Sequence, residues 1–288
     1  MAYFLLIFSV FFSASSGIFG KLFNRQNEGN HGGQTFYNFL NLTSICIGWG
    51  ILFLFDPSFD VGVLRFSALF GISFAFTFWG LISALECGPT TLTSLFLSLS
   101  LILATVWGLF FWGAEFNSFI LIGLVLVIIA IVLCLYDGKK AEKSISLKWI
   151  FYIVLVFLAN ATCTIIQRTQ QMKYDGKYGT MMMFFATLIS ALVFAFVFFK
   201  SDKRDVGVMM KKSGWIPIFA GVCNVALNLF IIILATSTLS PSLIYPVVSI
   251  GNLAVVTLFS LFMFKERMRW WQWLGMAVGA VAVGLLSL

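Results

Sequence analysis

The sequence predicts an all-α integral membrane protein with ten transmembrane helices around a central cavity. Of its 288 residues, 60% are hydrophobic and only 10% are charged, whereas a soluble domain carries about 25% charged residues. The apolar residues form ten stretches of about 18 to 25 residues, each long enough to cross the roughly 30 Å hydrocarbon core of a bilayer as a helix. The short polar loops between the stretches leave no room for a soluble domain.

The ten predicted spans follow one another with little between them. They cover residues 2–23, 34–55, 64–85, 90–113, 117–136, 149–167, 178–199, 214–237, 240–264 and 270–287. Because lipid offers no hydrogen-bond partners to the backbone, apolar runs of this length are helices. Residues 2–12, followed by Ser13-Ala14-Ser15, resemble a signal peptide. Because no Lys or Arg precedes this run and the apolar sequence continues to Phe23, we predict that it is retained.

The basic residues fall mainly on one side of the predicted membrane. The loops after spans 1, 5, 7 and 9 are flanked by 14 Lys and Arg residues, and the other loops by only 4, namely Arg65, Arg168, Lys173 and Lys177. The side richer in Lys and Arg is normally cytoplasmic. This bias predicts a multi-pass protein of the plasma (inner) membrane, with the loops after spans 1, 3, 5, 7 and 9 in the cytoplasm and both termini outside. It also explains the net charge of +7 without a nucleic-acid partner.

The two halves of the chain repeat each other. Pro89 and Pro241 lie at the start of corresponding spans, 152 residues apart, while Glu115 and Glu266 follow those spans and lie 151 residues apart. Five spans per repeat is an odd number, so the second copy enters the membrane in the opposite direction. We predict two inverted five-helix repeats, 1–143 and 144–288, which is an architecture of secondary transporters.

With this pattern the chain resembles the drug/metabolite transporter superfamily, in its EamA-like branch. The local motif runs from Leu243 to Gly284 and includes Glu266, Gln272, Gly275 and Gly279. The first half departs from the family at Ser94 to Ser100, which lacks the mid-helix proline that Pro246 supplies in the second half. The resemblance implies a cavity lined by spans 1, 3, 4, 6, 8 and 9. It also implies cytoplasmic termini, in conflict with the charge bias, which we follow.

Polar side chains spaced three or four residues apart form stripes on the spans that would line this cavity. Such side chains are costly in lipid unless they face other helices or water. The candidate substrate-binding residues are Asn160, Asn224, Asn228, Tyr245, Ser249, Asn252, Ser13, Ser16, Trp79 and Ser98. The alternative is that the hydroxyls and amides join helices by hydrogen bonds and that Trp79 is packed as core. Both interpretations remain open at this stage.

The middle of every span lacks Asp, Glu, Lys and Arg, which favours a neutral or zwitterionic substrate. A phosphorylated substrate would need basic groups in the cavity, and only Lys21 and Arg168 come near. We expect a secondary active transporter that moves a small polar organic metabolite, such as an amino acid or a nucleoside-like solute, by alternating access. A channel or a lipid scramblase is the alternative. An intramembrane enzyme would need a nucleophile–base pair that the spans lack.

No cofactor or metal is expected, because the single histidine and the five cysteines are not clustered. The expected partners are a small-molecule metabolite and the lipid bilayer. The protein should be a monomer or a weak homodimer.

The charge bias makes a direct prediction about topology. In a background without native cysteines, Ser144→Cys should react with an impermeant thiol reagent only from the cytoplasmic side, and Gly176→Cys only from outside, because their loops lie on opposite sides of the membrane. Labelling of intact cells, followed by labelling of permeabilised cells, measures this. Reaction of position 144 from outside, with position 176 protected, would reverse the orientation.

Overall fold

The structure, a computed structural model, describes residues 2–55, 57–112, 118–135, 146–235, 241–266 and 268–285. Within these residues the chain forms twelve helices. In chain order they are α1 (Ala2–Gln26), α2 (Gly33–Phe55), α3 (Val61–Cys87), α4 (Thr90–Leu99), α5 (Leu101–Phe111), α6 (Ser118–Leu135), α7 (Leu147–Lys173), α8 (Gly179–Lys200), α9 (Val206–Ser213), α10 (Trp215–Ala235), α11 (Pro241–Phe262) and α12 (Trp270–Leu285).

The helices agree with the predicted spans to within three residues except at three places, one of which is α7, which ends at Lys173 and not at 167. The predicted fourth span is divided at Ser100 into α4 and α5, and the short helix α9, which the sequence did not predict, precedes α10 at a bend of 59°. Helices α1, α2, α3, α7 and α8 are each long and apolar enough to cross a membrane, and α9 with α10 gives a sixth. The protein is therefore an all-helical, multi-pass membrane protein, while the number of ten spans remains a prediction.

Short polar side chains cap the start of two of the helices. The Asp60 carboxylate accepts a hydrogen bond from Gly62 N at 2.7 Å at the start of α3, and Ser146 Oγ accepts one from Trp149 N at 3.1 Å at the start of α7. Each side chain satisfies one of the first N–H groups of its helix, which have no partner within the helix itself. These caps explain why both helices start where the apolar sequence begins.

Each main contact between two helices has a counterpart between the equivalent helices of the opposite halves of the chain. Helix α3 packs on α7 and α8, and α10 packs on α1 and α2 in the same way. Helix α1 lies along α11, as α7 lies along α4 and α5, while α2 pairs with α8 and α6 pairs with α12. The contacts thus relate α1, α2 and α3 to α7, α8 and α10.

Contacts along the helices give the directions of α1 and α11. An added Cβ on Gly251 of α11 would lie 2.7 Å from Val10 Cγ1 of α1. Nearer the ends of both helices, Arg25 Nη1 donates to the carbonyl oxygen of Met263 at 3.3 Å. Residue numbers rise together along the contact, so α1 and α11 run parallel.

The same reasoning orients the other half. Trp149 Nε1, at the start of α7, donates to Thr93 Oγ1 in α4 at 3.2 Å, and Arg168 further along α7 lies over the ring of Trp112, just after α5. Helix α7 therefore runs parallel to α4 and α5. Because the first residue of α4 meets Glu266 beyond the end of α11, α4 and α11 are antiparallel. Helices α1 and α7 consequently run in opposite directions.

Two equivalent seams are packed around glycine. An added Cβ on Gly71 of α3 would lie 2.5 Å from the carbonyl oxygen of Ala186 in α8, and one on Gly221 of α10 would lie 2.8 Å from that of Asn41 in α2. Real Cβ atoms do not approach a backbone oxygen so closely. The absence of a side chain is thus what lets these backbones touch, as small residues do in other membrane helix pairs.

We expect Gly71→Ala to lower the free energy of unfolding by about 1–3 kcal/mol, because the new methyl group overpacks the α3–α8 seam. Gly207→Ala is the matched control, since nothing lies within 4 Å of its added Cβ and alanine favours a helix. Melting temperatures of the two purified variants measure the difference. An unchanged melting temperature for Gly71→Ala would contradict the tight seam.

Candidate functional site

One end of the helix bundle, here called the basic end, gathers the loops 27–32, 88–89, 201–205 and 263–266. Asn27 Nδ2 donates to Ser213 Oγ at 2.7 Å, and the His31 backbone N–H donates to Asp205 Oδ2 at 2.8 Å. Most Lys and Arg residues of the described chain lie at or near this end, including Lys21, Arg25, Lys148, Lys200, Lys203, Arg204, Lys211, Lys212, Lys265 and Arg269. The charge bias of the sequence is therefore a difference between the two ends of the bundle.

At the basic end, a carboxylate from α11–α12 caps the start of α4. Glu266 accepts hydrogen bonds from Thr90 N at 3.0 and 3.1 Å and from Thr90 Oγ1 at 2.9 Å, and Ser260 Oγ also donates to it. The residue before α4, Pro89, provides no side-chain cap. A negative group at this position satisfies an otherwise unpaired N–H and interacts favourably with the helix dipole.

An ammonium group from α1 caps the end of α3 in the complementary way. Lys21 Nζ donates to the carbonyl oxygens of Leu85 at 2.9 Å and Gly88 at 2.8 Å, and it lies 3.6 Å from Glu266 Oε1. The side chains of Lys21 and Glu266 are only 16% and 15% exposed. A single mostly buried ion pair thus holds α1, the α3–α4 turn and the end of α11 together.

The backbone after α11 explains how Glu266 reaches this turn. Lys265 takes a left-handed conformation with φ of +52°, and the following N–H, that of Glu266, donates back to the carbonyl oxygen of Ser260 at 3.0 Å. The chain therefore folds back on the helix end, and the Glu266 side chain points to α4.

Helices α1 and α3 close against each other at the basic end. Asn24 Nδ2 donates to the carbonyl oxygen of Ile82 at 2.9 Å, and an added Cβ on Gly20 would lie 2.7 Å from Leu85 Cδ1. The equivalent helices α7 and α10 should meet at the opposite end, yet within the described residues they share almost no close contact. The described bundle is therefore closed between α1 and α3 at the basic end, whereas the stretch 236–240, which corresponds to the end of α3, lies outside the described residues.

Three helices meet one turn below this closure, at Gly17 of α1. An added Cβ there would lie 3.1 Å from Ser94 Oγ in α4 and 3.8 Å from Val256 Cγ2 in α11. One turn further from the basic end, about 5.4 Å along each helix, the chain places three candidate residues at one level, namely Ser13, Ser98 and Asn252. This level is near the middle of α1.

Asn252 is the member of this group whose hydrogen bonding is incomplete. It is 6% exposed, and within the described part of the chain its Oδ1 has no hydrogen-bond partner. The hydroxyl of Thr91, one turn from the same junction, is also buried without a partner. A buried acceptor without a donor costs about 1–3 kcal/mol. This position would be stabilised by a ligand or water that donates a hydrogen bond.

Asn160 lies at a similar depth, and its amide nitrogen is bonded to the protein. Its Nδ2 donates to Ser100 Oγ at 2.6 Å and contacts the carbonyl oxygen of Leu97 at 3.5 Å. Ser100 is where α4 and α5 separate, so this amide joins α7 to the interrupted helix. Counted from Pro89 and Pro241, Ser100 corresponds to Asn252. The two equivalent positions thus differ, because Ser100 accepts a hydrogen bond, whereas the amide oxygen of Asn252 has no partner among the described residues.

The two asparagines of α10 bond to each other. Asn228 Nδ2 donates to the carbonyl oxygen of Asn224 at 2.8 Å and contacts its Oδ1 at 3.3 Å. Both are partly exposed, and the neighbouring Cys223 lies beside Ser15 of α1. They are therefore at the depth of Ser13, on a different helix.

The other candidates are more dispersed. Ser16 lies in a narrow crevice between α1, α2 and α3 that is lined by Tyr37, Phe78 and Ile82 among others. Ser249 is partly buried one turn before Asn252, while the side chain of Tyr245 lies outside the described residues. Trp79 is 38% exposed, on the same α3 stripe as Phe76, and its ring meets Tyr152 edge to face. This stripe is apolar and separate from the polar group around Asn252.

Fold and site together define a class of protein. Helices of opposite direction, closed at one end around mid-depth amides and hydroxyls, are typical of polytopic membrane transporters. The model of the EamA-like transporter family matches residues 1–136 and again residues 147–288. The chain belongs to this family, and the resemblance seen in the sequence is confirmed.

Comparison with solved structures supports the fold alone. A structure titled only as the crystal structure of a protein aligns with 96% of this chain and 95% of its own, with a TM-score of 0.57 and 13% sequence identity. No curated protein matched the sequence.

The two amides should respond differently to truncation in the ligand-free protein. Asn160→Ala removes a hydrogen bond between α7 and Ser100 and should lower the free energy of unfolding by about 1 kcal/mol or more. Asn252→Ala removes an acceptor without a partner, so it should lower the melting temperature less. Equal losses for the two variants would mean that Asn252 also joins helices.

Proposed function

We propose that the protein is a secondary active transporter of a small, polar, neutral or zwitterionic organic metabolite, such as an amino acid or a nucleoside-like solute. The observation that carries the proposal is the buried oxygen of Asn252, which has no hydrogen-bond partner among the described residues and is level with Ser13 and Ser98. Membership of a transporter family indicates the class of activity. The Asn252 oxygen is a place where a bound substrate would gain a hydrogen bond.

The proposed architecture is ten spans in two inverted five-helix repeats, 1–143 and 144–288, around a central cavity. In this arrangement α4 with α5 forms the fourth span and α9 with α10 the eighth. The opposite directions of α1 and α7 support the inversion, and the two separate family matches support the repeat. The apolar helices shorter than a full span, such as α12 (Trp270–Leu285), would then cross a locally thinner bilayer.

The proposed substrate chemistry follows from the side chains at this depth. The group around Ser13, Ser98 and Asn252 offers hydroxyls and amides, and Asn224 and Asn228 add two more amides from α10. A dry site recognises a charged group only with an opposite charge nearby. Hydrogen bonds to these side chains suit a solute with several N–H and O–H groups and little net charge.

The proposed mechanism is alternating access. Closure between α1 and α3 at the basic end, with no such closure between α7 and α10 in the described residues, fits one of two states related by exchange of the repeats. If the basic end lies in the cytoplasm, as the positive-inside rule favours, this state accepts substrate from outside the plasma membrane. The same rule leaves both termini outside, and the chain would work as a monomer or weak homodimer.

A channel or a lipid scramblase is the alternative proposal. A channel needs a continuous path and a selectivity element, and the contacts between α1 and α3 interrupt the path at the basic end. The transporter therefore accounts for more of the geometry than a channel does.

A thermal-stability screen with amino acids, nucleosides, sugar phosphates and organic cations tests the proposed substrate class. A ligand that binds only the folded state raises the melting temperature by mass action. We expect stabilisation by an uncharged or zwitterionic compound, which should also enter proteoliposomes. Stabilisation only by phosphorylated compounds or cations would overturn the proposed chemistry.

For the best compound of that screen, Asn252→Ala should weaken binding by about 5- to 150-fold, which corresponds to the loss of one or two hydrogen bonds. Thr162→Ala is the control, since this exposed hydroxyl of α7 bonds only within its own helix, to the carbonyl oxygen of Leu158 at 2.9 Å. Unchanged affinity in Asn252→Ala would remove this residue from the site.

A further inference from the structure

We propose that the Lys21–Glu266 ion pair is the latch of the basic end, and that it separates when the substrate path opens on that side. The inference rests on the proposed alternating-access function and assigns its control to two residues outside the binding site. Lys21 Nζ and Glu266 Oε1 lie 3.6 Å apart and are mostly buried. They lie one turn closer to the basic end than the junction at Gly17.

The pair connects the elements that must part if the basic end opens. Lys21 belongs to α1, while its carbonyl partners Leu85 and Gly88 belong to the end of α3 and the turn that follows. Glu266 follows α11 and is fixed to Thr90 at the start of α4. Movement of α1 away from α3 therefore breaks the Lys21 hydrogen bonds and lengthens the ion pair, while Glu266 can remain bound to Thr90.

Because the ion pair is mostly buried, it has two favourable states, one paired and one separated. In the closed state the charges are dry but compensated by each other, by two carbonyl oxygens and by the Thr90 N–H. Separating them without water would leave two uncompensated buried charges, which is strongly unfavourable. Opening the path admits water, which hydrates both groups. The pair is therefore paired and dry or separated and wet, and intermediate positions are disfavoured.

A basic residue at the equivalent place in the second half has a different environment. Helices α2 and α8 begin 146 residues apart, at Gly33 and Gly179, so the counterpart of Lys21 is close to Arg168. Arg168 is exposed at the opposite end, with its guanidinium 5.3 Å from the centroid of the Trp112 ring. The two ends thus carry similar basic residues, of which Lys21 is mostly buried and Arg168 is exposed.

The latch can be tested without a substrate by measuring thiol accessibility from the basic end. Ser16→Cys, in a background whose native cysteines are replaced, is the reporter, because Ser16 lies in the crevice beneath the α1–α3 closure. A charged, membrane-impermeant methanethiosulfonate reagent is applied to vesicles of either orientation. We expect Lys21→Met to raise the rate of reaction from the basic end by about tenfold, because the open state becomes more populated.

Glu266→Gln separates the ion pair from the helix cap. The amide oxygen of glutamine can still accept from the Thr90 N–H, so α4 remains capped while the charge is lost. We expect the same increase in accessibility from the basic end, with melting that stays cooperative. Lys21→Arg, which retains the charge, should stay close to the parent protein, and Arg168→Met should not increase labelling from the basic end.

Two outcomes would overturn the latch. One is an unchanged labelling rate in both Lys21→Met and Glu266→Gln when both variants melt cooperatively. The other is an equal increase from both sides of the membrane, which would indicate general loosening of the bundle. Neither result depends on ligand binding, so a failed latch and a failed substrate site are distinguished by the separate affinity test on Asn252→Ala.

Discussion

The two-residue turn between α3 and α4 is the constraint on which the described fold depends. A helix that ends and a helix that begins within two residues expose carbonyl and N–H groups together, and in an apolar environment each unsatisfied group costs several kcal/mol. No side chain of the turn itself satisfies them. Lys21, Glu266 and Thr93 do so instead. The positions of α1 and α11 are therefore tied to a turn to which neither belongs.

The same turn joins the two halves of the chain. Trp149, at the start of α7, packs on Gly88, where an added Cβ would lie 2.0 Å from Trp149 Cδ1. Its indole N–H donates to Thr93 Oγ1, which in turn donates to the carbonyl oxygen of Pro89. The first and second repeats thus share one hydrogen-bonded unit. A change in the position of either repeat therefore alters the contacts of the other at this turn.

The sequence predicted the helical segments well, because apolar length and the absence of mid-span charge are local properties. It did not predict the interruption at Ser100, since the residues on both sides favour a continuous helix and the compensating donor comes from Asn160, far along the chain. It also missed α9, whose sequence is too polar and short to count as a span. The number of spans that cross the membrane is still a prediction.

The candidate site was predicted by residue type but not by partner. Asn160 and Asn252 are alike in the sequence, both at the middle of an apolar span, yet one is bonded to Ser100 and the other has an unsatisfied oxygen. Only tertiary contacts distinguish them. Lys21 and Glu266 were noted for other reasons, as a possible phosphate-binding residue and as part of a family motif. Their pairing across 245 residues has no local signal, although opposite charges at span ends on the same predicted side would have been a reason to test it.

The close packing at Gly88 also limits which parts of the molecule can act as moving parts. With only two residues between them and an indole pressed against the first, α3 and α4 are mechanically coupled at the basic end and must travel as one piece. Helix α1 is held there by side chains alone, and the chain after it continues through 27–32 before α2 begins. If the basic end opens as proposed, the movement would therefore be that of α1 against the α3–α4 corner.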